Sequence, residues 1–313
     1  MSLSKLSLIA CLSTRSGRII GALLAAVLIA GCSAARVGYN NAPALAYWWL
    51  DTYFDFDGEQ SLRIRADLQA VQDWHRKEEL PLLIQTLREL QAMAPKTVTT
   101  AQVCAVVPGL QTRMQVTLDR VAPSLGAIAP GLQATQIDQI AREFEKRDKK
   151  WRKEWLEGTL AERADRRVKQ IVDRAESLYG TLEPAQIALV KNLVQSSSFD
   201  APRNQREMLR RHEDALQVLA SLRTNKTSPA QATTAIRGLL ERTLKAPDPA
   251  YRQYIERLTQ ESCAATAAVH NSSSSGQRAL LLQTLQDYEG DARALATQNS
   301  QASAPRALSS TAL

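Results

Sequence analysis

The chain predicts an all-α protein, either an elongated multi-helix bundle or an array of helical hairpins, and three observations carry that prediction. From Ala42 onward Ala, Leu, Gln, Arg and Glu dominate, and apolar positions recur at intervals of three and four. No stretch alternates polar and apolar residues as a half-buried strand would. A five-residue phrase, an apolar residue and a capping residue followed three positions later by Gln, recurs along the chain. It reads Phe56-Asp57-Gly58-Glu59-Gln60, Val98-Thr99-Thr100-Ala101-Gln102, Leu132-Gln133-Ala134-Thr135-Gln136, Leu182-Glu183-Pro184-Ala185-Gln186 and Thr227-Ser228-Pro229-Ala230-Gln231, with a degraded copy at Ser273-Ser274-Ser275-Gly276-Gln277.

The N-terminal segment comes before any of these helices. Residues 19–30 are twelve apolar or small residues that run into Gly31-Cys32; Lys5, Arg15 and Arg18 precede the end of the run, and the first acidic residue is Asp51. A membrane-spanning helix needs about 20 residues, so this run is short for one. A basic start, a short apolar run and small residues before Cys resemble a bacterial lipoprotein signal peptide. The resemblance implies loss of residues 1–31, a diacylglycerol on Cys32 as the sole cofactor-like group, and a linker over 32–42. Ser33 in place of Asp implies, by the same analogy, an outer-membrane anchor with the domain facing the periplasm. An uncleaved anchor is the alternative, and the short run with its Cys fits it less well.

Loss of residues 1–31 leaves 282 residues and lowers the formal net charge from +7 to +4. That length suits one helical domain over 43–297. A periplasm-facing protein of this charge meets anionic phospholipid, lipopolysaccharide phosphates and peptidoglycan carboxylates, so nucleic acid is excluded as the expected partner.

The recurring phrase has a physical basis. A short polar side chain at the cap accepts from first-turn amides, while Gln at the third helical position reaches back to the cap's own amide. Pro184 and Pro229 then fall at the first helical position, where a missing N–H costs nothing. Val98 with Val103, Leu132 with Ile137 and Leu182 with Ile187 are spaced to staple the entering chain. Gln133 and Glu183 are unusual caps, so their boxes are weaker. Copies 34 to 50 residues apart match the period of a helical hairpin.

Taken in order, helices are expected at 43–55, 58–93, 100–121, 134–179, 184–197, 202–224, 229–245, 248–270 and 277–297. Seven of the sixteen aromatics lie between Tyr39 and Phe56. They suit either a buried first helix with Tyr47, Leu50 and Phe54 on one face, or a belt at the membrane interface. The absence of flanking Lys and Arg favours the core. Pro81 kinks or splits the second segment and Gly158 interrupts the fourth. Uninterrupted, 134–179 would extend roughly 70 Å. Its stretch 141–170 holds eleven Lys or Arg against seven Asp or Glu. Ile137, Ile140, Phe144, Trp151 and Trp155 form the apolar stripe beneath those charges, and Lys149, Lys150, Arg152 and Lys153 are the candidate contacts to anionic envelope surfaces. Gly180 stops a helix, 271–276 is a turn, and the Ser/Ala-rich tail 298–313 is expected to be disordered.

Four Cys are present. Cys11 leaves with the signal and Cys32 takes lipid, so Cys104 and Cys263 remain, either as a disulfide closing a long loop or as two buried thiols. His75, His212 and His270 stand alone, without HExxH or CxxC, and predict no metal site. His75 with Glu78 and Glu79 nearby is the one local arrangement that suggests proton transfer. Its structural alternative has Trp74 buried, His75 and Arg76 bonded to a neighbouring helix, and Glu79 on the surface.

The Tyr-rich stretch ending in Tyr53-Phe54-Asp55, the phrase Asp57-Gly58-Glu59-Gln60, the segment from Trp74 to Pro81 and Leu182-Glu183-Pro184-Ala185-Gln186, together with Cys32, resemble a family of uncharacterised proteobacterial lipoproteins. In that family the last phrase tends to be Leu-Thr-Pro-x-Gln. The resemblance implies fold and location but no activity. The Gln phrases are also similar to those of small periplasmic stress chaperones, a likeness that capping physics alone can produce. The expectation is a non-enzymatic, membrane-tethered helical protein that binds envelope proteins or anionic polymers through an apolar groove edged by the 141–170 helix. The alternative is an envelope hydrolase or transferase using His75 and Glu78.

Overall fold

The computed structural model describes residues 34–225 and 227–298, so the signal segment, Cys32 and the tail from residue 299 lie outside the described residues. Every regular element among the described residues is helical: α1 (Ala42–Phe54), α2 (Gly58–Trp74), a π-turn (His75–Glu79), α3 (Leu80–Met93), α4 (Thr100–Cys104), α5 (Val107–Ile128), a 3-10 turn (Ala129–Gly131), α6 (Ala134–Trp155), α7 (Leu160–Tyr179), α8 (Pro184–Ser196), α9 (Ala201–Thr224), α10 (Pro229–Leu244), α11 (Pro249–Asn271) and α12 (Ser275–Thr297). Residues 34–40, expected as linker, are helical as well.

Several boundaries differ from the sequence expectation, each for a local reason. The rod 58–93 deforms just before Pro81, where Leu80 N–H bonds His75 O across a π-turn. Proline has no N–H to return to the preceding turn, and the wider turn accommodates the loss. The expected helix 100–121 is two helices. Pro108 near the start of α5 stops the first after Cys104, and the second continues through Pro123 to Ile128. The 134–179 segment is no 70 Å rod: it breaks at Leu156–Thr159, where Gly158 has φ +87° and Thr159 with Glu162 forms a capping box. Arg166 donates to Glu154 O and Glu157 O, and Arg163 to Leu156 O, so α7 caps the end of α6 and the basic segment folds back.

Two large cores organise the described residues, beside a small cluster of Ala246, Tyr251 and Tyr254. The first lies among α1, α2, α6, α10 and the C-terminal halves of α5 and α9, around Tyr47, Ile64, Leu132, Ile140, Leu219 and Ile236. The second joins α3, α7 and α12 through Leu87, Tyr179, Leu182, Leu281 and Leu285, and continues through Val172 to Val168, Val190, Val194 and Val269 of α7, α8 and α11. The rod formed by α2, the π-turn and α3 serves both. The packing is that of a bundle rather than a hairpin array, because α5 pairs with α10 and α3 with α12, far apart in sequence.

The Gln phrases select which helix ends meet. Gln60 and Gln136 each accept their own cap's backbone N–H, at 3.2 and 2.8 Å, and their amides pair with each other. Gln136 Nε2 also donates to Phe54 O and Asp55 O at 2.9 and 3.0 Å, filling carbonyls left open where α1 ends. The second core repeats the arrangement. Gln186 and Gln277 accept from Glu183 N and Ser274 N, exchange amide bonds at 2.8 and 2.9 Å, and donate to Ser272 O and Thr181 O. Gln136, Gln186 and Gln277 are buried. As their residue types predicted, Gln133 and Glu183 are weak caps: Gln136 N and Gln186 N bond their carbonyls instead.

Helices α5 and α10 approach through small residues. Ala122 and Ala232 are fully buried, and a Cβ on Gly126 would lie 2.6 Å from Thr233 Cα. Backbone on both sides leaves no room to yield. Gly126→Ala is therefore expected to cost about 1–3 kcal/mol in urea unfolding, whereas Gly109→Ala, in the same helix with open space around it, is expected to be neutral or slightly stabilising. Equal effects would show that the crossing is not tight. Gln186→Ala strands a buried carbonyl and a cap amide and is expected to cost about 1–3 kcal/mol, with the Gln186→Ala/Gln277→Ala pair costing less than the sum.

Candidate functional site

The residues singled out from sequence are not gathered in one place. His75 is half-buried, and its Nδ1 is 2.9 Å from Tyr39 OH; burial holds its pKa below the ordinary histidine value, with Glu79 opposing. Glu78 is exposed, and among the described residues no hydrogen bond joins it to His75. Glu79, expected on the surface, is buried 3.4 Å from Arg113 because the π-turn rotates it inward, and Trp74 is only half-buried. Among the described residues, buried Arg76 has neutral partners alone: Leu295 O at 2.9 Å, Gln298 Oε1 at 3.2 Å and Asn40 Oδ1 at 3.0 Å. The carbonyl end of α12 carries partial negative charge that suits the guanidinium. His270 lies in the second core, its Nε2 donating to Lys96 O at 2.7 Å and its Nδ1 accepting from Tyr179 OH at 2.9 Å. Burial pushes that tyrosine up to about 12.

Cys104 of α4 and Cys263 of α11 are joined by a disulfide with Cα atoms 5.4 Å apart. Asn271 brackets the same helix pair by bonding Val98 N and Val98 O at 2.9 and 2.8 Å. On α6, Lys149 pairs with Glu145 at 2.9 Å, while Lys150, Arg152 and Lys153 make no ion pair among the described residues. Helix α1 is split between environments. Tyr47 is buried, and Leu50 and Phe54 pack on the first core, whereas Trp48 is 70% exposed.

An apolar cavity of about 240 Å³ opens inside the first core, where α1, α2, α5, α6, α9 and α10 converge. Leu50, Tyr53 and Phe54 of α1 form one wall and Ile140 and Phe144 of α6 another. Ala215 and Leu219 of α9 with Ile236, Leu239 and Leu240 of α10 close it. Among the described residues, the charged or titratable side chains lining it besides Tyr53 are Arg147 and His212. His212 stacks on Phe144 with ring centroids 4.0 Å apart. Its pKa is held below the ordinary value by burial and then by Arg147, against the pull of Asp148. Arg147 is exposed and donates to Tyr53 OH at 3.3 Å, and it makes no ion pair among the described residues.

The family of unknown function DUF6279 matches residues 52–252. The chain belongs to the DUF6279 family. Among curated proteins and among solved structures, none matches the chain. Of the cavity lining, all but Trp49 and Leu50 falls within the DUF6279 match. The cavity has no local signature in the sequence, because its walls come from six helices. One signal was available: Arg147 falls on the stripe of Ile137, Ile140, Phe144 and Trp151, where a charge beside a core needs a reason.

Helix α12 lies beyond the DUF6279 match, and its attachment is partly electrostatic. Glu289 accepts from Arg88 at 2.8 Å, from Gln91 at 2.7 Å and from Arg293, and these donors hold its carboxyl down to about 2. An unfolded glutamate titrates near 4.3. A depressed folded value contributes stability that is present above the unfolded pKa and is lost as pH falls through the folded one. Glu289→Gln is thus expected to lower the urea midpoint by a constant amount above pH ~5. The gap from wild type should close as pH falls from about 4 toward about 2; a pH-independent gap would contradict the assignment.

Proposed function

We propose that the mature protein is a lipid-anchored, non-enzymatic binding protein of the bacterial cell envelope, an adaptor or chaperone-like holder tethered to the outer membrane through Cys32 and facing the periplasm. The observation that carries this reading is the apolar cavity with basic α6 as one wall. It supports the binding arrangement expected from the sequence, an apolar recess edged by the 141–170 segment. Lys150, Arg152 and Lys153, free of carboxylate partners among the described residues, are available to anionic envelope polymers or acidic protein surfaces. His75 supports binding over catalysis, since Tyr39 engages its Nδ1 while Arg76 and Glu79 beside it have structural partners. The Ile29-Ala30-Gly31-Cys32 sequence supports the anchor. Two or three acyl chains, at about 0.8 kcal/mol per buried methylene, hold a protein on a membrane where a single chain does so only marginally.

The test is in-cell crosslinking followed by mass spectrometry of the captured proteins, with Cys32→Ala as the unanchored control. Labelled palmitate is expected to enter the wild type and not the control. One dominant partner lost in Cys32→Ala supports an adaptor, and many unrelated unfolded envelope proteins support a holder. Substituting Lys149, Lys150, Arg152 and Lys153 together by Gln is expected to reduce capture, and undiminished capture removes α6 from the binding surface.

A further inference from the structure

The cavity described above has two chemically different ends, and the difference specifies its ligand. The interior is lined by aliphatic and aromatic side chains and is larger than the ~150 Å³ apolar cavity that accepts a benzene-sized guest. Its volume accommodates one hydrocarbon chain and not a folded peptide segment. The mouth carries a guanidinium. On α6 Lys146 pairs with Glu143 at 2.5 Å and Lys149 with Glu145 at 2.9 Å, while Arg147, like Lys150, makes no ion pair among the described residues; of the unpaired cations Arg147 is the one that lines the cavity, where it donates to the Tyr53 hydroxyl. A guanidinium presents a planar fork of donors that fits carboxylate and phosphate oxygens. Beside it, His212 stands against Phe144 with no hydrogen bond to its ring among the described residues, so a ring N–H is available to the same oxygens.

We propose that the cavity binds a single-chain anionic amphiphile, its hydrocarbon tail among Leu50, Phe54, Ile140, Leu219 and Ile236 and its anionic head on Arg147 at the mouth. The assignment rests on reading this cavity as the protein's binding centre. The head chemistry shared by a fatty acid and an alkyl or lysolipid phosphate is an oxyanion on one chain, and the cavity is too small for a second chain. His212 assists as a neutral donor, and Trp49, half-exposed at the rim, lies where a bound chain alters its surroundings.

The experiment titrates decanoate, decyl phosphate and decanol into the full chain carrying Cys32→Ser, whose own acyl chains cannot compete, by calorimetry and tryptophan fluorescence. Saturable binding of one anion per chain is expected, with decanol about tenfold weaker or more, the loss of one charge-assisted hydrogen-bonded contact. The tighter of the two anions identifies the head group. Arg147→Gln, at an exposed position that leaves the fold intact, is expected to bring the anions to the level of decanol. Ala215→Phe, which fills the cavity from α9, is expected to abolish all three, with circular dichroism reporting the fold. Equal affinity of decanol and the anions in the wild type overturns the head assignment while leaving an apolar binding cavity. No binding of any probe overturns the cavity reading itself, and unchanged binding in a folded Ala215→Phe protein places the probes elsewhere and overturns the proposal.

Discussion

The pairing of buried glutamine amides is the constraint on which the arrangement of helices depends. A helix start leaves amides without partners and a helix end leaves carbonyls, and burying either without satisfaction is costly. In this protein one side chain serves both needs. Gln136 takes the amide of its own cap with Oε1 and fills the carbonyls at the end of α1 with Nε2, while pairing with Gln60 at the start of α2. Three helix termini are thereby brought to one point. The second core solves the same problem with Gln186 and Gln277, so that the hairpin α11–α12 receives the start of α8 much as the hairpin α1–α2 receives the start of α6. In four of its six copies the capping phrase therefore encodes pairwise junctions between remote helices more than a repeating hairpin.

The first core is held at its ends and along one crossing, and the cavity follows from both. Gln136 fixes where α1 meets α6, and the contact of Gly126 with Thr233 fixes how closely α5 and α10 approach. Side chains between these fixed points can shift rotamers, but the helices that carry them cannot close in without breaking buried hydrogen bonds or overlapping backbone. Flat aromatic rings, with Phe144 stacked on His212 and Phe54 stacked on Phe56, line the space without filling it. A cavity that cannot collapse is open to a ligand of matching shape and polarity.

The helices were legible because capping chemistry and three-four periodicity are local, and the boxes at Asp57, Thr99 and Ser228 form with both of their hydrogen bonds. A seventh box, Thr159 with Glu162, was passed over because Glu takes the place of Gln and Gly158 read only as an interruption. The π-turn was displaced from its cause, since Pro81 deforms the turn before it rather than its own position. The inward turn of Glu79 onto Arg113 and the union of Cys104 with Cys263 depend on residues 34 and 159 positions away. No local pattern carries that information. The same holds for the cavity, to which α6 contributes a legible stripe and five other helices contribute the rest.

The disulfide bears on where the molecule can reach this state. Helices α4 and α11 already meet through the Asn271 bracket on Val98, and Cys263 is buried beside them, so the folded pair gains little rigidity from a covalent link. Its effect falls on the unfolded chain, where closing a loop of sequence separation 159 removes conformational freedom equivalent to about 4–5 kcal/mol in the loop-entropy account. That contribution exists only where thiols are oxidised. A reducing compartment would leave α4, a helix of five residues, attached by the Asn271 bracket and a few apolar contacts. An oxidising compartment, such as the periplasm proposed from the Cys32 anchor, would complete the attachment.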